Sequence, residues 1–174
     1  MRSRKIAVVA AACALALTPA ATAVAGSGPA PDPSERPSAQ STAPSPEGNP
    51  RSAKAQAADV CEDAYPIGER GRITRGGETI ASVKQFYSPK CDENYGYLWV
   101  WDSFRDREDD YDVSTAVYSY TQDEVLGGDS WTNSNGQEYW SHGTDTVQDC
   151  TAGVGAVRPA GEPLARQAHS SKRC

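Results

Sequence analysis

Few residues of this 174-residue chain combine the type and spacing that chemistry near neutral pH demands. Acid–base and zinc chemistry draw on histidine or on grouped carboxylates in a cleft. The chain has two histidines, His142 and His169. His142 follows Trp140-Ser141 at the end of an expected hairpin and His169 lies near the C-terminus, so neither has a second histidine at ligand spacing. Carboxylates are denser: Asp102, Asp106, Glu108, Asp109, Asp110 and Asp112 crowd one stretch. Glu108-x-Asp110-x-Asp112 alternates oxygen ligands as a calcium loop does. No glycine follows at the turn position, however, and Ser119 stands where such a loop places its bidentate glutamate. The stretch reads as a solvated loop, with Arg105 and Arg107 offsetting part of its charge.

Nucleophilic and cofactor chemistry leave few marks on the chain. Gly128-Asp129-Ser130-Trp131 shares the G-D-S opening of one serine-hydrolase motif. That motif needs its serine early in an α/β chain and a paired Asp and His late; here the serine is mid-chain, in a β context, and no D-x-x-H follows. No G-x-S-x-G, Walker loop or dinucleotide fingerprint is present. A carboxylate pair such as Asp102 and Asp112 would suit hydrolysis of a glycan, although a short chain has little room for both a core and a substrate cleft. The reading therefore names no catalytic residue, no metal ligand and no cofactor.

The remaining reactive residues are cysteines, and the N-terminus decides their chemistry. Arg2, Arg4 and Lys5 precede an apolar run from Ile6 to Leu17, and Ala23-Val24-Ala25 supplies an A-x-A cleavage site. This is the pattern of an export signal over residues 1–25, and its apolar run, Ile6 to Leu17, is too short to span a bilayer of roughly 30 Å. Ser3 separates the arginines, which favours the general export route, and Ala10-Ala11-Ala12 before Cys13 lacks the leucine of a lipid-anchor site. Once Cys13 leaves with the signal, Cys61, Cys91, Cys150 and Cys174 remain, and two disulfides are expected in an oxidising compartment. Three connectivities are possible. Cys61–Cys91 and Cys150–Cys174 are favoured, one pinning the start of the domain to its first hairpin and the other tying the tail back, each contributing about 2–4 kcal/mol. Cys174 is the last residue, so a free or intermolecular thiol stays open.

Composition then divides the chain. Residues 26–58 hold seven prolines and no aromatic residue. They read as a disordered Pro/Ala/Ser-rich linker, either a plain tether or an extended arm that orders on a partner. All fourteen aromatic residues lie between Tyr65 and Trp140, which places the core in a domain spanning 59–159. Residues 160–174 read as a polar C-terminal tail. From Asp59 to Arg158 there are 19 acidic and 8 basic residues, a net charge near −11. That balance argues against nucleic acid and against anionic membrane in the mature form. It serves solubility, or recognition of a basic or cation-bearing partner.

The domain itself reads as all-β, a small disulfide-braced antiparallel sandwich or partly open barrel of six to eight strands. Gly76-Gly77 between Arg72–Arg75 and Glu78–Ile80 marks a hairpin, and Asn135-Gly136 between Trp131 and Trp140 marks a second. A short strand is expected from Asp123 to Leu126, and Gly153 and Gly155 suggest a bulge in the last strand. The strongest strand is Tyr95-Gly96-Tyr97-Leu98-Trp99-Val100-Trp101. It places Tyr95, Tyr97, Trp99 and Trp101 on one face and Leu98 and Val100 on the other, so it is expected to be central. Its aromatic row serves either as core or as a stacking platform.

Gly77 through Trp99, with Ile80-Ala81-Ser82-Val83-Lys84-Gln85-Phe86-Tyr87-Ser88-Pro89-Lys90-Cys91 leading into Tyr97-Leu98-Trp99, resembles the YjfA-like family of small secreted bacterial proteins. The resemblance implies a strand ending in Tyr-Ser, a cysteine three residues on and then a tryptophan; it carries no activity and no catalytic residue. In outline alone, a linker bearing a compact domain is similar to the small adaptor subunits of umbrella-shaped secreted toxin particles. The expected function is a non-enzymatic extracellular binding or adaptor module for another secreted or cell-surface protein, or a glycan. Its expected contacts are Tyr95, Tyr97, Trp99 and Trp101 together with the Trp131–Trp140 hairpin. The alternatives are a secreted hydrolase using Asp102 and Asp112, and a protease inhibitor presenting the loop from Cys61 to Ile73.

Overall fold

Gly76 and Gly77 both adopt positive φ, at 57° and 86°, which suits a two-residue turn whose twist matches the strands it joins. They connect β1 (Tyr65–Arg75) to β2 (Glu78–Ser88), which pairs in turn with β3 (Glu93–Val100). The computed structural model describes residues 47–174; the expected export signal, Cys13 and the linker up to residue 46 lie outside the described residues. After β3 come a single-turn helix that we number α2 (Asp102–Arg105), then β4 (Tyr111–Ser119), β5 (Glu124–Ser134), β6 (Glu138–Trp140), β7 (Thr151–Pro159) and β8 (Arg166–His169). A further short helix, α1 (Ala53–Ala57), precedes β1.

The strands form two antiparallel four-stranded sheets, ordered β1-β2-β3-β6 and β5-β4-β7-β8, and the fold is an all-β sandwich. Inward side chains alternate along each strand. Val83, Leu98, Val100 and Tyr139 of the first sheet meet Tyr111, Val113 and Val157 of the second, with Phe104 of α2 closing one end. Both disulfides, Cys61–Cys91 and Cys150–Cys174, form within the chain.

Glycines set the distance between the sheets. A Cβ on Gly96 would lie 2.1 Å from the backbone oxygen of Ala116, and one on Gly153 would lie 2.3 Å from that of Lys84. A Cβ on Gly71 would come equally close to His169. At these points backbone rests on backbone, whereas around Leu98, Phe104 and Tyr111 large side chains hold the sheets apart.

Several boundaries differ from the sequence reading. Residues 47–58, expected in the linker, belong to the fold: Glu47, Ser52, Ala55 and Ala58 are buried. The segment expected as a tail supplies β8, paired along β7 from Val154–His169 to Val157–Arg166. Gly153 and Gly155 mark no bulge, because the β4–β7 register runs unbroken from Tyr111–Pro159 to Ser119–Thr151. They are there for the close approach of the sheets. The expected short strand at Asp123–Leu126 runs on through Gly127-Gly128 as the long strand β5. Asn135-Gly136 is not a hairpin turn either. Trp131 lies in the second sheet and Trp140 in the first, and the chain crosses between sheets there. The Asn135 side chain donates to the carbonyls of Glu108 and Asp109, and the Gly136 carbonyl accepts from the Tyr111 and Tyr139 hydroxyls.

Gly96→Ala and Gly153→Ala are each expected to cost roughly 3 kcal/mol or more, because the obstacle is backbone and cannot rotate away. Gly128→Ala, whose Cβ would meet only the Ala116 Cβ at 3.6 Å, should stay within about 0.5 kcal/mol of the parent. Urea unfolding of the three variants checks the contrast.

Candidate functional site

The aromatic row of β3 was the foremost contact candidate. Tyr95 and Tyr97 are 0% exposed and Trp140 is 1% exposed, so none of the three presents a face to a ligand. They form a layer on the outside of the first sheet together with Phe86, the rings of Phe86, Tyr97 and Trp140 lying 4.5–5.4 Å apart. Trp99 packs against this layer half-buried. Trp101 lies beyond the end of β3, as the residue preceding α2, with its Nε1 buried and lacking a hydrogen-bond partner. Trp131 is half-buried against Tyr139, with ring centroids 4.9 Å apart. The structure thus brings Tyr95, Tyr97 and Trp140 together as core, and leaves Trp99, Trp101 and Trp131 with partial exposure at different places.

What covers the layer is the segment 47–64, and each step of that cover has a local cause. Ser52 caps α1, its Oγ accepting from Ala55 N–H at 3.0 Å. Asp59, at φ 56°, takes the left-handed position that ends the helix. Asp59 N–H bonds the Gln56 carbonyl and Val60 N–H bonds the Ala55 carbonyl, the paired closure that brings Val60 back onto Ala55. Ala55, Ala58, Val60 and Ala64 then pack on the rings. Gly48 N–H donates to the Tyr97 hydroxyl at 2.8 Å. The Asp63 carboxylate accepts from Ser88 Oγ–H and Lys90 N–H, beside the Cys61–Cys91 bridge. Under the strap Lys84 Nζ meets Glu47 Oε1 at 3.2 Å, their side chains 6% and 3% exposed. Burial holds the Lys84 ammonium below the usual lysine range, against the opposing pull of Glu47.

The acidic stretch is stitched to arginines. Arg75 bonds Glu108 and also Glu162, Arg107 bonds Glu78, and Arg158 bonds Asp112. The guanidinium of Arg158, helped by Asn133 N–H, holds the Asp112 carboxyl below its ordinary range. Asp102 accepts from Arg105 and from the Gln137 amide. Neither Asp102 nor Asp112 lines the two hollows described below. Among the described residues no group of three or more His, Cys, Asp and Glu side chains is placed to hold a metal ion. The loop considered for protease inhibition is mostly strand: Tyr65 to Ile73 lies in β1, paired to β2 and, at Glu69, bonded to Ser171.

A feature the sequence did not announce lies on the outer face of the second sheet. Ser114 and Ala116 of β4 stand beside Ala156 and Val154 of β7, and their small side chains floor a groove of about 630 Å³. Val125, Gly128 and Ser130 of β5 form one wall, and Gln167 and His169 of β8 the other. The volume falls in the range of ligand-binding clefts. No Phe, Tyr or Trp ring lines it. A second, smaller hollow of about 120 Å³ lies between α1, β5 and β6 and includes Asp129, Trp131 and Glu138. Glu138 is 8% exposed. Its Oε1 accepts from Trp140 Nε1–H at 2.9 Å. Burial pushes its carboxyl above the usual glutamate range despite the opposing hydrogen bonds from Trp140 and Ser52 and the nearby Lys54. The groove was missed because alternating Ser, Ala and Val on one strand face carries no motif; only the pairing of β4 with β7 makes it a surface.

No family model, no curated protein and no solved structure matches the chain. The two disulfides indicate an oxidising environment. No helix among the described residues is long and apolar enough to cross a membrane.

Two outcomes follow from the buried charges. Lys84→Met alone strands the Glu47 carboxylate in the interior and should cost about 3–5 kcal/mol, while the Glu47→Gln/Lys84→Met double variant recovers most of that loss; thermal melting of the three proteins measures it. Glu138→Gln should raise the melting temperature at pH 7.5, because a carboxyl whose folded pKa lies above its unfolded value opposes folding when ionised. The sign requires the gain to be full above the folded pKa and to vanish as the pH falls below the unfolded value of about 4.3. A gain that persisted at pH 3.5 would contradict it.

Proposed function

We propose that the chain is an exported, non-enzymatic binding module, an adaptor that takes a segment of another secreted or cell-surface protein in the groove on the outer face of the second sheet. The export signal at residues 1–25 and the two disulfides support the compartment. The observation that carries the binding role is the groove: about 630 Å³, floored by Ser114, Ala116, Val154 and Ala156, with a polar rim. Small floor residues let a partner's backbone come close. The lining has no Phe, Tyr or Trp face of the kind a sugar stacks on, and its aliphatic floor suits a protein segment presenting aliphatic side chains. The resemblance to the YjfA-like family adds no activity, and the outline shared with toxin-particle adaptor subunits agrees with this role by architecture alone.

Ser114→Trp fills the groove from an exposed position between Ser130 and Ala156. Affinity capture from culture supernatant with the mature chain should retain a partner that the Ser114→Trp protein loses, while substitution by serine of Leu164, which is exposed and does not line the groove, leaves capture unchanged. Equal recovery by parent and Ser114→Trp proteins would remove the groove from the account.

A further inference from the structure

The smaller hollow has a chemistry of its own. It opens at the lateral mouth of the sandwich, where α1, the short edge strand β6 and the long edge strand β5 meet. Trp131 borders it with a partly exposed ring, the buried Tyr139 and Trp140 stand behind, and two carboxylates, Asp129 and Glu138, join the lining. Trp131 and Tyr139 pack at 51° to each other, and Trp131 keeps partial exposure. Aromatic faces carry negative potential and attract cations within about 6 Å, most strongly where the cation also sheds water.

The carboxylates here are poorly compensated. Arginines hold Glu78, Glu108, Asp112 and Glu162 elsewhere on the surface, but the nearest basic groups to this pair are weaker. His142 Nε2 stands 4.0 Å from Asp129 Oδ2, and the remaining Asp129 oxygen accepts only from Ser130 N–H among the bonds found. Lys54, exposed on the last turn of α1, acts on Glu138 from the rim. Burial pushes that carboxyl above its ordinary range, and its hydrogen-bond donors, Trp140 and Ser52, are neutral. A buried carboxylate facing a hollow, with neutral hydrogen-bond donors and one flexible lysine, retains charge that a ligand's cation would neutralise.

We propose that this notch binds an alkylammonium group, the charged end of a lysine-like side chain or a small amine, held between Asp129 and Glu138 with Trp131 supplying the ring face. At about 120 Å³ it has room for one ammonium head with its adjoining carbons. Two carboxylates set among rings suit an organic cation, whose carbon surface gains from the apolar walls; a hydrated divalent ion would lack further oxygen ligands there. Lys54 is then an internal competitor at the rim. The net acidity of the domain, 19 acidic against 8 basic residues from Asp59 to Arg158, adds long-range attraction for the same ligand class. This inference does not depend on the groove, with which the notch shares only Asp129.

The test uses the full mature chain, choline as probe and its neutral isostere 3,3-dimethylbutan-1-ol as control, followed through the tryptophan indole N–H signals by NMR at fixed ionic strength. Choline should shift the Trp131 indole saturably, and the isostere should bind at least about fivefold more weakly, the ratio expected of roughly 1 kcal/mol of cation attraction. Trp131→Ala should abolish the response but also disturbs packing, so Asp129→Asn carries the burden: its carboxylate is 39% exposed, and its loss should weaken choline several-fold without moving the other indole signals. Lys54→Ala should tighten choline, since it removes the competing charge. Equal binding of choline and the isostere, no Trp131 shift at any soluble concentration, or a Lys54→Ala protein that binds choline no better than the parent would each overturn the assignment.

Discussion

The structure turns on the fact that β3 is apolar on both faces. Leu98 and Val100 point one way, Tyr95 and Tyr97 the other, and all four are fully buried. A strand of that kind cannot sit in a two-layer sandwich with one face wet. It needs a cover on each side. The second sheet covers the first face. The other is covered by a strap with a five-residue helix, far too short to be stable alone. The strap therefore depends on attachments: the Ser52 cap, the closure at Asp59, the Cys61–Cys91 bridge and the buried Lys84–Glu47 pair. A small domain buries a limited fraction of its surface. Adding a third layer of alanines and one valine over a ring cluster increases apolar burial with few additional residues.

The second constraint is the unequal spacing of the sheets. Backbone contact at Gly96 and Gly153 brings the middle strands together, while Phe104, Tyr111 and Tyr139 fill the wider end. The strand that accommodates this taper is β5, whose register with β4 shifts between Tyr111 and Val113 and again between Thr115 and Val117. Such bulges increase local twist and turn an edge strand away from its neighbours. The trough lies on the outside of the second sheet, and the notch lies at its flank, where the strap helix meets β5 and β6.

How legible this was in the sequence depended on how local each signal was. Gly76-Gly77 announced the first hairpin because two positive φ angles are a property of two residues. Cysteine parity gave the number of bridges, the places of the cysteines at the domain's ends favoured the pairs that form, and alternation in β3 gave its central position. The strap was not legible, because its signals are individually weak. A proline-rich composition concealed a helix capped by serine and closed by aspartate, where glycine is the usual terminator. The Asn135-Gly136 pair misled for the opposite reason. It is a strong local signal overridden by tertiary bonds, the Asn135 amide to the 108–109 carbonyls and two tyrosine hydroxyls to the Gly136 carbonyl. Tyr95, Tyr97 and Trp99 were correctly placed on one face and Trp101 was not, since the strand ends before it, but sequence alone does not tell whether a third layer covers that face. That single missing fact moved the expected contact surface from the first sheet to the second.

Once the rings are accounted for as core, the distribution of charge becomes the more informative property of the surface. Ion pairs between exposed side chains contribute little each, yet here they recur wherever two chain segments must meet: Arg75 joins the end of β1 to the loop after α2 and to the β7–β8 turn, and Arg158 joins β7 to β4. Carboxylates used in this way are neutralised in place and offer little to a partner. Those that line the hollows differ. Asp129 stands at the boundary of groove and notch, and Glu138 sits nearly buried beside it with mostly neutral donors. An acidic excess spread evenly would only keep the domain soluble. On the binding proposed above, an excess only weakly compensated where rings and a cavity coincide is what would give the domain a preference for one sign of charge at one place, and a partner bearing an aliphatic segment and an adjoining cation would satisfy both surfaces at once.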